Sequence, residues 1–327
     1  MSARPYVARE EIERAAERIR PVVPPTPCIS WPQLNALAGC EVWVKHENHT
    51  PIGAFKIRGG LVYMSELRER EPAVRGVVTG TRGNHGQSVA LAAAKAGLAA
   101  TVVVPHGNSA EKNAAMRAFG ARVIEHGKDF QEALEHALLL AERDGLHFVP
   151  AFDRRLVVGV ATYAWELFHE HPDLDRVYVP IGLGSGICGV AAARDALGLR
   201  TRIVGVVADS APAYARSFAA RAAAEAPVAD TVADGVACRK PNDEALGVIL
   251  TRVERVLAIG EDAIRRAMCS YYVATHNVAE GAGALALAAV LQERPARDER
   301  VAVILSGGNV DWPVLRAAMD SSYRLDR

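Results

Sequence analysis

The chain has 327 residues, of which 50% are hydrophobic, so it can bury one large core or two moderate ones. Its 38 basic and 38 acidic side chains balance, and neither sign forms a long block. This excludes the electrostatic footprint of a protein that binds nucleic acid or a membrane surface. The partner expected from such a balance is a small, roughly neutral ligand.

The cysteines indicate the compartment. They are Cys28, Cys40, Cys188, Cys238 and Cys269. Their odd number, wide spacing and lack of a Cys-x-x-Cys pair argue against a disulfide framework or a zinc knuckle, and they suit a reducing compartment. The N-terminal region is too charged for a signal peptide, and no apolar run reaches membrane-spanning length without interruption. We therefore expect a cytoplasmic protein with no membrane partner.

The first predicted elements are a helix and a strand. Residues 9–20 place apolar side chains on one face at helical spacing, and a proline-rich segment ends this helix. The alternating run 41–45 predicts a half-buried strand. Pro51 and Gly53 mark the turn that follows, and a second helix is predicted from this turn to about residue 70.

Lys56 lies near the start of that second helix. An ammonium group there faces the positive end of the helix dipole and unpaired backbone N–H groups, which disfavours its charged form. The residue is therefore a candidate amine nucleophile or base. The alternative is a surface lysine in a first turn, and position alone does not decide between the two.

Beyond residue 70, short β-branched runs alternate with alanine-rich helical runs. Strands are predicted at 76–79, 101–104, 122–125, 147–149, 176–180, 201–207 and 301–305, with helices near 157–170 and from 187. This pattern is typical of a parallel sheet flanked by helices. The stretch 211–242 gives little clear signal, which leaves a functional loop possible there.

The loop 79–87 is the first polar constellation after Lys56. It carries Thr81, Arg82, Asn84 and His85 between a predicted strand and a helix that begins near Asn84. Loops at the carboxyl ends of parallel strands bind ligands in α/β sheets, and these groups with helix N-terminal amides suit an anion such as a carboxylate. The alternative is a glycine-rich turn in which Asn84 caps the helix.

A glycine loop at residues 182–186 joins another strand to a helix. Backbone N–H groups at a helix N-terminus without obstructing Cβ atoms form a phosphate cradle. The spacing of Gly184, Gly186 and Gly189 also satisfies the dinucleotide fingerprint, and Asp209 follows about 20 residues later, where a ribose-binding acid would sit. On this stretch alone, an NAD-linked oxidoreductase ranks first.

The turn 305–309 follows the last predicted strand. Ser306 in this turn can hydrogen-bond a ring nitrogen without imposing a charge on it. By itself the signal is weak, because a serine–glycine turn after a strand is more often only a turn.

Taken together, these stretches occur in the order found in fold-type II pyridoxal-phosphate enzymes, and the chain resembles the serine/threonine dehydratase and serine racemase branch. The resemblance covers nearly the whole chain and includes Thr26-Pro27, Ala233-Asp234-Gly235-Val236 and Glu280-Gly281-Ala282-Gly283. It implies an α/β fold with two open, twisted, mostly parallel sheets flanked by helices, similar to tryptophan synthase β. The cofactor, pyridoxal 5'-phosphate, would lie in the cleft between a large domain, residues 1–52 and 148–327, and a small domain, residues 53–147.

The resemblance also implies roles for matching residues. Lys56 would bind the cofactor covalently and act on the Cα proton, and Phe55 would lie against the cofactor ring. Asn84 would hydrogen-bond the ring hydroxyl, and Ser306 would meet the ring nitrogen. The phosphate would lie on Gly182, Gly184, Ser185, Gly186 and Ile187. Thr81, Asn84 and His85 would hold the substrate carboxylate. Arg82 and Gly235 are further candidates for substrate binding.

The implied activity is α,β-elimination on a small β-hydroxy amino acid such as L-threonine or L-serine, which gives a 2-oxo acid and ammonia. A bulkier or acidic 3-hydroxy amino acid, such as phenylserine or 3-hydroxyaspartate, is the alternative within the class. An NAD-linked oxidoreductase and a silent ligand-binding relative are the rivals outside it. A homodimer is expected, and no divalent-metal site is expected because the acid that serves some relatives falls at Val207 or Ala208.

Several positions depart from the family pattern. Ala54 replaces the usual serine, and Leu183 and Ser185 interrupt the usual glycine run. Arg82 occupies the position of the second base in racemases of this branch, and an always-protonated guanidinium cannot act as one. We therefore do not expect racemisation. Arg82 can instead pair with a second substrate carboxylate or point away to a surface acid.

Overall fold

Two parallel-rich sheets flanked by helices form the framework of the protein, as predicted. The structure, a computed structural model, describes residues 6–227 and 229–323. No helix within these residues is long and apolar enough to cross a membrane.

The strands in chain order are β1 (Cys28–Ser30), β2 (Glu41–His46), β3 (Gly76–Gly80), β4 (Ala99–Val104), β5 (Arg122–Glu125), β6 (His147–Phe148), β7 (Arg176–Pro180), β8 (Arg202–Ala208), β9 (Arg255–Ile259) and β10 (Arg300–Leu305). One sheet has the order β1-β2-β10-β7-β8-β9 and the other has the order β5-β4-β3-β6. All pairs are parallel except β1 with β2. The valine-rich runs of β3, β7 and β10 are continuous because these strands are buried on both faces.

The α-helices are α1 (Arg9–Ile19), α2 (Pro32–Ala38), α3 (Lys56–Arg70), α4 (Asn84–Lys95), α5 (Ala110–Ala118), α6 (Phe130–Asp144), α7 (Arg154–Glu170), α8 (Ser185–Ala196), α9 (Ala213–Ala220), α10 (Asp243–Arg252), α11 (Glu261–Thr275), α12 (Gly281–Glu293) and α13 (Trp312–Tyr323). Single 3₁₀ turns cover Glu47–His49 and Asp234–Val236. The region 211–242, which gave little sequence signal, contains α9, the second 3₁₀ turn and irregular backbone.

Helix α3 packs closely against α7. A Cβ atom built on Gly59 would lie 2.7 Å from the carbonyl oxygen of Leu156, and one built on Gly159 would lie 2.3 Å from that of Arg58. Neither distance is possible for real atoms, so the two glycines allow this approach of the helix backbones. The contact fixes the first turn of α3, where Lys56 lies.

A buried network of charges fixes α3 further. The Arg58 guanidinium donates to the Glu47 carboxylate at 2.8 and 3.0 Å and to the Glu166 carboxylate at 2.6 and 3.0 Å. Lys45 Nζ donates to Glu166 at 2.6 Å and to the backbone oxygen of Thr26 at 2.8 Å. Two cations and two anions therefore compensate one another inside the protein, as buried charges require.

Candidate active site

Lys56 opens α3, as the turn before it predicted, and its amine faces the glycine loop. Lys56 Nζ donates a hydrogen bond to Ser185 Oγ at 3.3 Å and lies 5.0 Å from the centre of the Phe55 ring. Burial lowers the pKa of Lys56 to about 8, against the opposing charge of Glu280, which raises it. A substantial share of neutral amine is thus present near neutral pH, which a nucleophilic lysine needs.

The turn after β10 holds the segment that leads into Lys56. The Phe55 amide donates to the carbonyl of Ser306 at 3.0 Å, and the Gly308 amide donates to that of Gly53 at 2.9 Å. Gly53 has φ +67°, which favours glycine. The Ser306 hydroxyl is buried and makes no hydrogen bond with the described residues, so it is available to a ligand beside the Lys56 segment.

The glycine loop between β7 and α8 forms an anion cradle. Helix α8 begins at Ser185, two residues before the predicted start at Ile187. The first amide that bonds within the helix is that of Cys188, which donates to Gly184 at 3.0 Å. The preceding amides, those of Ser185, Gly186 and Ile187, therefore have no acceptor within the helix and carry the positive end of its dipole.

The local geometry requires glycine at two positions of this loop, Gly182 and Gly184. Gly184 has φ +102°, and a Cβ on Gly182 would lie 2.6 Å from the carbonyl oxygen of Gly235. A Cβ on Gly186 would lie 3.6 Å from the Phe55 ring. Ile187 points its side chain into the core, so only its backbone amide can serve the cradle.

Asn84, at the start of α4, is held by groups from the other end of the chain. Its Nδ2 donates to Glu280 Oε1 at 2.8 Å, and its Oδ1 accepts from Asn309 Nδ2 at 2.8 Å. The loops after β3 and β10 therefore meet here, although the two strands belong to different sheets. The structure thus brings Lys56, Asn84, Ser306 and the glycine loop to one place.

The remaining residues of the Asn84 loop have different surroundings. Thr81 is buried and its Oγ1 accepts from the Gly83 amide at 3.2 Å. His85 is buried, and burial with the nearby Lys56 charge lowers its pKa to about 3, so the ring is neutral. Arg82 is exposed and forms no ion pair with any described residue. Among the described residues, no acidic side chain pairs with Arg82, so the structure gives no support to the alternative in which Arg82 points to a surface acid.

Sequence reasoning missed other members of this site. Glu280 occurs in a motif noted above, but an acidic residue just before a helix is common at helix N-termini, so its sequence position did not indicate a role in the site. Asn309 lies in the Ser306 turn and gave no signal. Lys112 of α5 is buried beside Gly83, and its Nζ lies 2.5 Å from Asp234 Oδ2. The sequence around a lysine in a predicted helix does not indicate such a distant contact, which only the tertiary structure shows.

An amine that contacts Ser185 at the N-terminus of α8, beside the Phe55 ring, suits a phosphate-bearing carbonyl compound. The chain belongs to the pyridoxal-phosphate dependent enzymes, whose family pattern matches residues 19–307. Its cofactor is pyridoxal phosphate, which displaces the NAD-linked interpretation of the glycine loop.

Named relatives agree with this assignment. The chain is 35% identical over 306 residues to the L-threonine ammonia-lyase of Thermotoga maritima, covering 93% of this chain and 76% of that protein. The structure of maize serine racemase superposes with a TM-score of 0.89 and 30% identity, covering 98% of this chain and 99% of that one. A pyridoxal 5'-phosphate-dependent aspartate racemase gives a TM-score of 0.89 and 28% identity, covering 96% and 99%.

Proposed function

We propose that the protein is an ammonia-lyase that converts a small β-hydroxy amino acid, such as L-threonine or L-serine, to a 2-oxo acid and ammonia. The observation that carries the proposal is the Lys56 amine, with its pKa lowered to about 8, facing the cradle of α8. The 35% identity to an L-threonine ammonia-lyase supports the choice of reaction. When bound, pyridoxal phosphate supplies an electron sink for the charge left on Cα after proton removal.

The residues around Lys56 fit this cofactor. Lys56 would hold it covalently and later take the Cα proton, and Phe55 would pack against the ring. The free amides of α8, at Ser185, Gly186 and Ile187, would bind the phosphate, with Gly182 and Gly184 giving it room. Ser306 would donate one hydrogen bond to the ring nitrogen, and a neutral hydroxyl there leaves that nitrogen uncharged. An uncharged ring favours elimination over transamination.

The loop before α4 would hold the substrate. The Thr81 hydroxyl and the first amides of α4 suit the α-carboxylate, and Asn84 would reach the ring hydroxyl. His85 is neutral, so it would contribute a hydrogen bond rather than a charge. Gly235 lies next to the cradle through its carbonyl contact with Gly182, where it would line the side-chain pocket.

The test is covalent trapping combined with a substrate panel. The purified protein should be yellow, and borohydride followed by peptide mass spectrometry should fix the cofactor on Lys56. Lys56→Ala should abolish trapping and release of 2-oxo acid, whereas Lys95→Ala, an exposed lysine at the end of α4, should change neither. A colourless protein that responds only to NAD would contradict the proposal. A yellow protein that turns over none of the β-hydroxy amino acids would indicate a silent binding relative.

A second candidate is an acidic or bulkier 3-hydroxy amino acid. Arg82 is exposed beside Asn84 with no acidic partner among the described residues, and a bidentate contact with a side-chain carboxylate suits a guanidinium. The related aspartate racemase also supports an acidic amino acid. Arg82→Ala should then lower kcat/KM for 3-hydroxyaspartate by about 10- to 100-fold while sparing threonine, given about 1.5–3 kcal/mol for a charged hydrogen bond. Equal effects on both substrates, or none, would remove this candidate, and phenylserine in the same panel tests the bulkier alternative.

We also propose the assembly and location expected from the sequence. The division into residues 1–52 with 148–327 and residues 53–147 is supported by the sheets, since the strands from residues 76 to 148 form one sheet and the other strands form the second. The free cysteines support a cytoplasmic location. A homodimer with no nucleic-acid partner is supported by the family resemblance and the balanced charge, and light scattering with and without added DNA tests both.

A further inference from the structure

Glu280 is a buried carboxyl group whose purpose the proposed chemistry does not yet explain. It precedes α12, its side chain is only 2% exposed, and it makes no side-chain hydrogen bond that caps the helix. Oε1 accepts from Asn84 Nδ2 at 2.8 Å, whereas Oε2 is buried with no hydrogen-bond partner among the described residues. A buried, unpartnered carboxyl oxygen is costly, so a purely structural role explains it poorly.

The hydrogen bonds around Asn84 fix the direction of its amide. Asn309 Nδ2 donates to the carbonyl of Ile52 at 2.7 Å and to Asn84 Oδ1 at 2.8 Å, which uses both of its hydrogens. Asn84 Oδ1 must then face Asn309, and its Nδ2 must face Glu280. One hydrogen on Asn84 Nδ2 is left for a ligand. Glu280 and Asn309 together therefore aim that single donor into the site.

The charge of Glu280 is coupled to its neighbours. Burial above all, with the nearby Asp234 carboxylate, raises the pKa of Glu280 against the opposing effects of Lys112, the Asn84 hydrogen bond and Lys56, and the net pKa is about 7. A Cβ built on Gly307 would lie 2.5 Å from Glu280 Oε1 and 3.2 Å from the Cβ of Ala54, so the carboxyl group lies beside the segment that leads into Lys56. Burial lowers the pKa of Lys56 to about 8, and the charge of Glu280 opposes this. The two groups, one on α3 and one before α12, therefore change charge in the same pH range, and each affects the other.

We propose that Glu280 is a positioning residue that aims Asn84 at the cofactor ring and, through its negative charge, holds the proton of the Lys56 nitrogen. The inference rests on the proposed function, because Asn84 and Lys56 are taken there to hold the cofactor. It assigns a role to Glu280, a residue for which the proposed reaction requires none.

The experiment compares Glu280→Gln with the native enzyme. Glutamine keeps the volume and the acceptor for Asn84 but cannot carry a negative charge. Borohydride trapping on Lys56 should still succeed. The pH midpoint at which the visible absorption of the bound cofactor changes should fall by about one unit, since a cation loses a nearby anion. Glu135→Gln, an exposed acid on α6, should leave the midpoint unchanged.

The outcomes separate this inference from the proposed function. Failure of trapping in the native protein would refute the proposed function. Normal trapping with coincident pH titrations of Glu280→Gln and native enzyme would refute the charge role of Glu280. If Glu280→Gln folds but does not retain the cofactor, the midpoint pH of Lys56 labelling by an amine reagent is compared in the two cofactor-free proteins. A lower midpoint in Glu280→Gln is expected, and equal midpoints would refute the charge role.

A second variant tests the aiming role separately, and it keeps the proposal testable if Glu280→Gln does not fold. Glu280→Asp keeps the charge but shortens the reach to Asn84. It should leave the pH midpoint near the native value while weakening cofactor affinity by about 10-fold, the equivalent of one hydrogen bond of about 1.4 kcal/mol. Native affinity in Glu280→Asp, or a midpoint shifted as far as in Glu280→Gln, would contradict the assignment.

Discussion

Replacing Arg58 by methionine tests whether the buried charge network holds the helix that begins at Lys56. Arg58 has no exposed side-chain surface, and it donates to both Glu47 and Glu166. Methionine retains an apolar stem of similar length but removes the charge. Lys45, which pairs with Glu166, would then be the only cation left in this network, and Glu47 would lose its ion pair.

The expected loss follows from that imbalance. Removing one partner of a buried ion pair costs about 3–5 kcal/mol, because the charge left behind has neither water nor a counter-ion. In the native protein burial raises the pKa of Glu166, but Arg58 and Lys45 outweigh it and leave the pKa lowered. Without Arg58, Glu166 keeps only Lys45 as a counter-ion, so we expect burial to raise the pKa of Glu166 above its unfolded value. The contribution of this carboxyl to the stability of the variant is then fully present below its unfolded pKa of about 4.3 and is lost as pH rises through the raised folded pKa.

The assay is urea unfolding of the cofactor-loaded protein at pH 5 and pH 8, followed by circular dichroism and by cofactor absorption. Arg58→Met should lose about 3–5 kcal/mol at pH 8 and less at pH 5. The control is Arg70→Met on the same helix, whose pair with Glu66 is 3.4 Å long with Arg70 63% exposed, and which should lose about 0–1 kcal/mol. A loss below about 1 kcal/mol at pH 8, or a larger loss at pH 5, would refute the reasoning.

Two further predictions concern the helix contact and the amine. Gly159→Ala should destabilise the protein by about 1–3 kcal/mol because its Cβ would lie 2.3 Å from the Arg58 carbonyl, whereas Gly247→Ala in α10, where a Cβ meets nothing within 4 Å, should be neutral or slightly stabilising. Equal melting temperatures for the two variants would contradict this packing. In the cofactor-free protein, labelling of Lys56 by an amine reagent should rise with pH to a midpoint of about 8, because its lowered pKa leaves the amine neutral above that value. A midpoint near that of a free lysine, about 10.4, would contradict the burial of the amine.

The sequence by itself determined most of the strands and the local motifs. Strands buried on both faces, such as β3, β7 and β10, are recognisable in the sequence as valine-rich runs, because every residue of such a strand contacts the core. Strands β1 and β9 were missed, since both are edge strands that are only partly buried. The start of α3 and the glycine loop could also be predicted, since turn and helix-end preferences act over a few residues.

Only the tertiary structure decided which side chains meet. Asn84 contacts Glu280 across 196 positions of the chain, and the charges around Arg58 come from three separate elements. No local pattern encodes such contacts, because they depend on how the two sheets and the helices between them pack. The state of His85 was decided in the same way: its sequence position indicated a binding group, and burial makes the ring neutral. Desolvation is a property of the packed interior, so it becomes visible only when the fold is known.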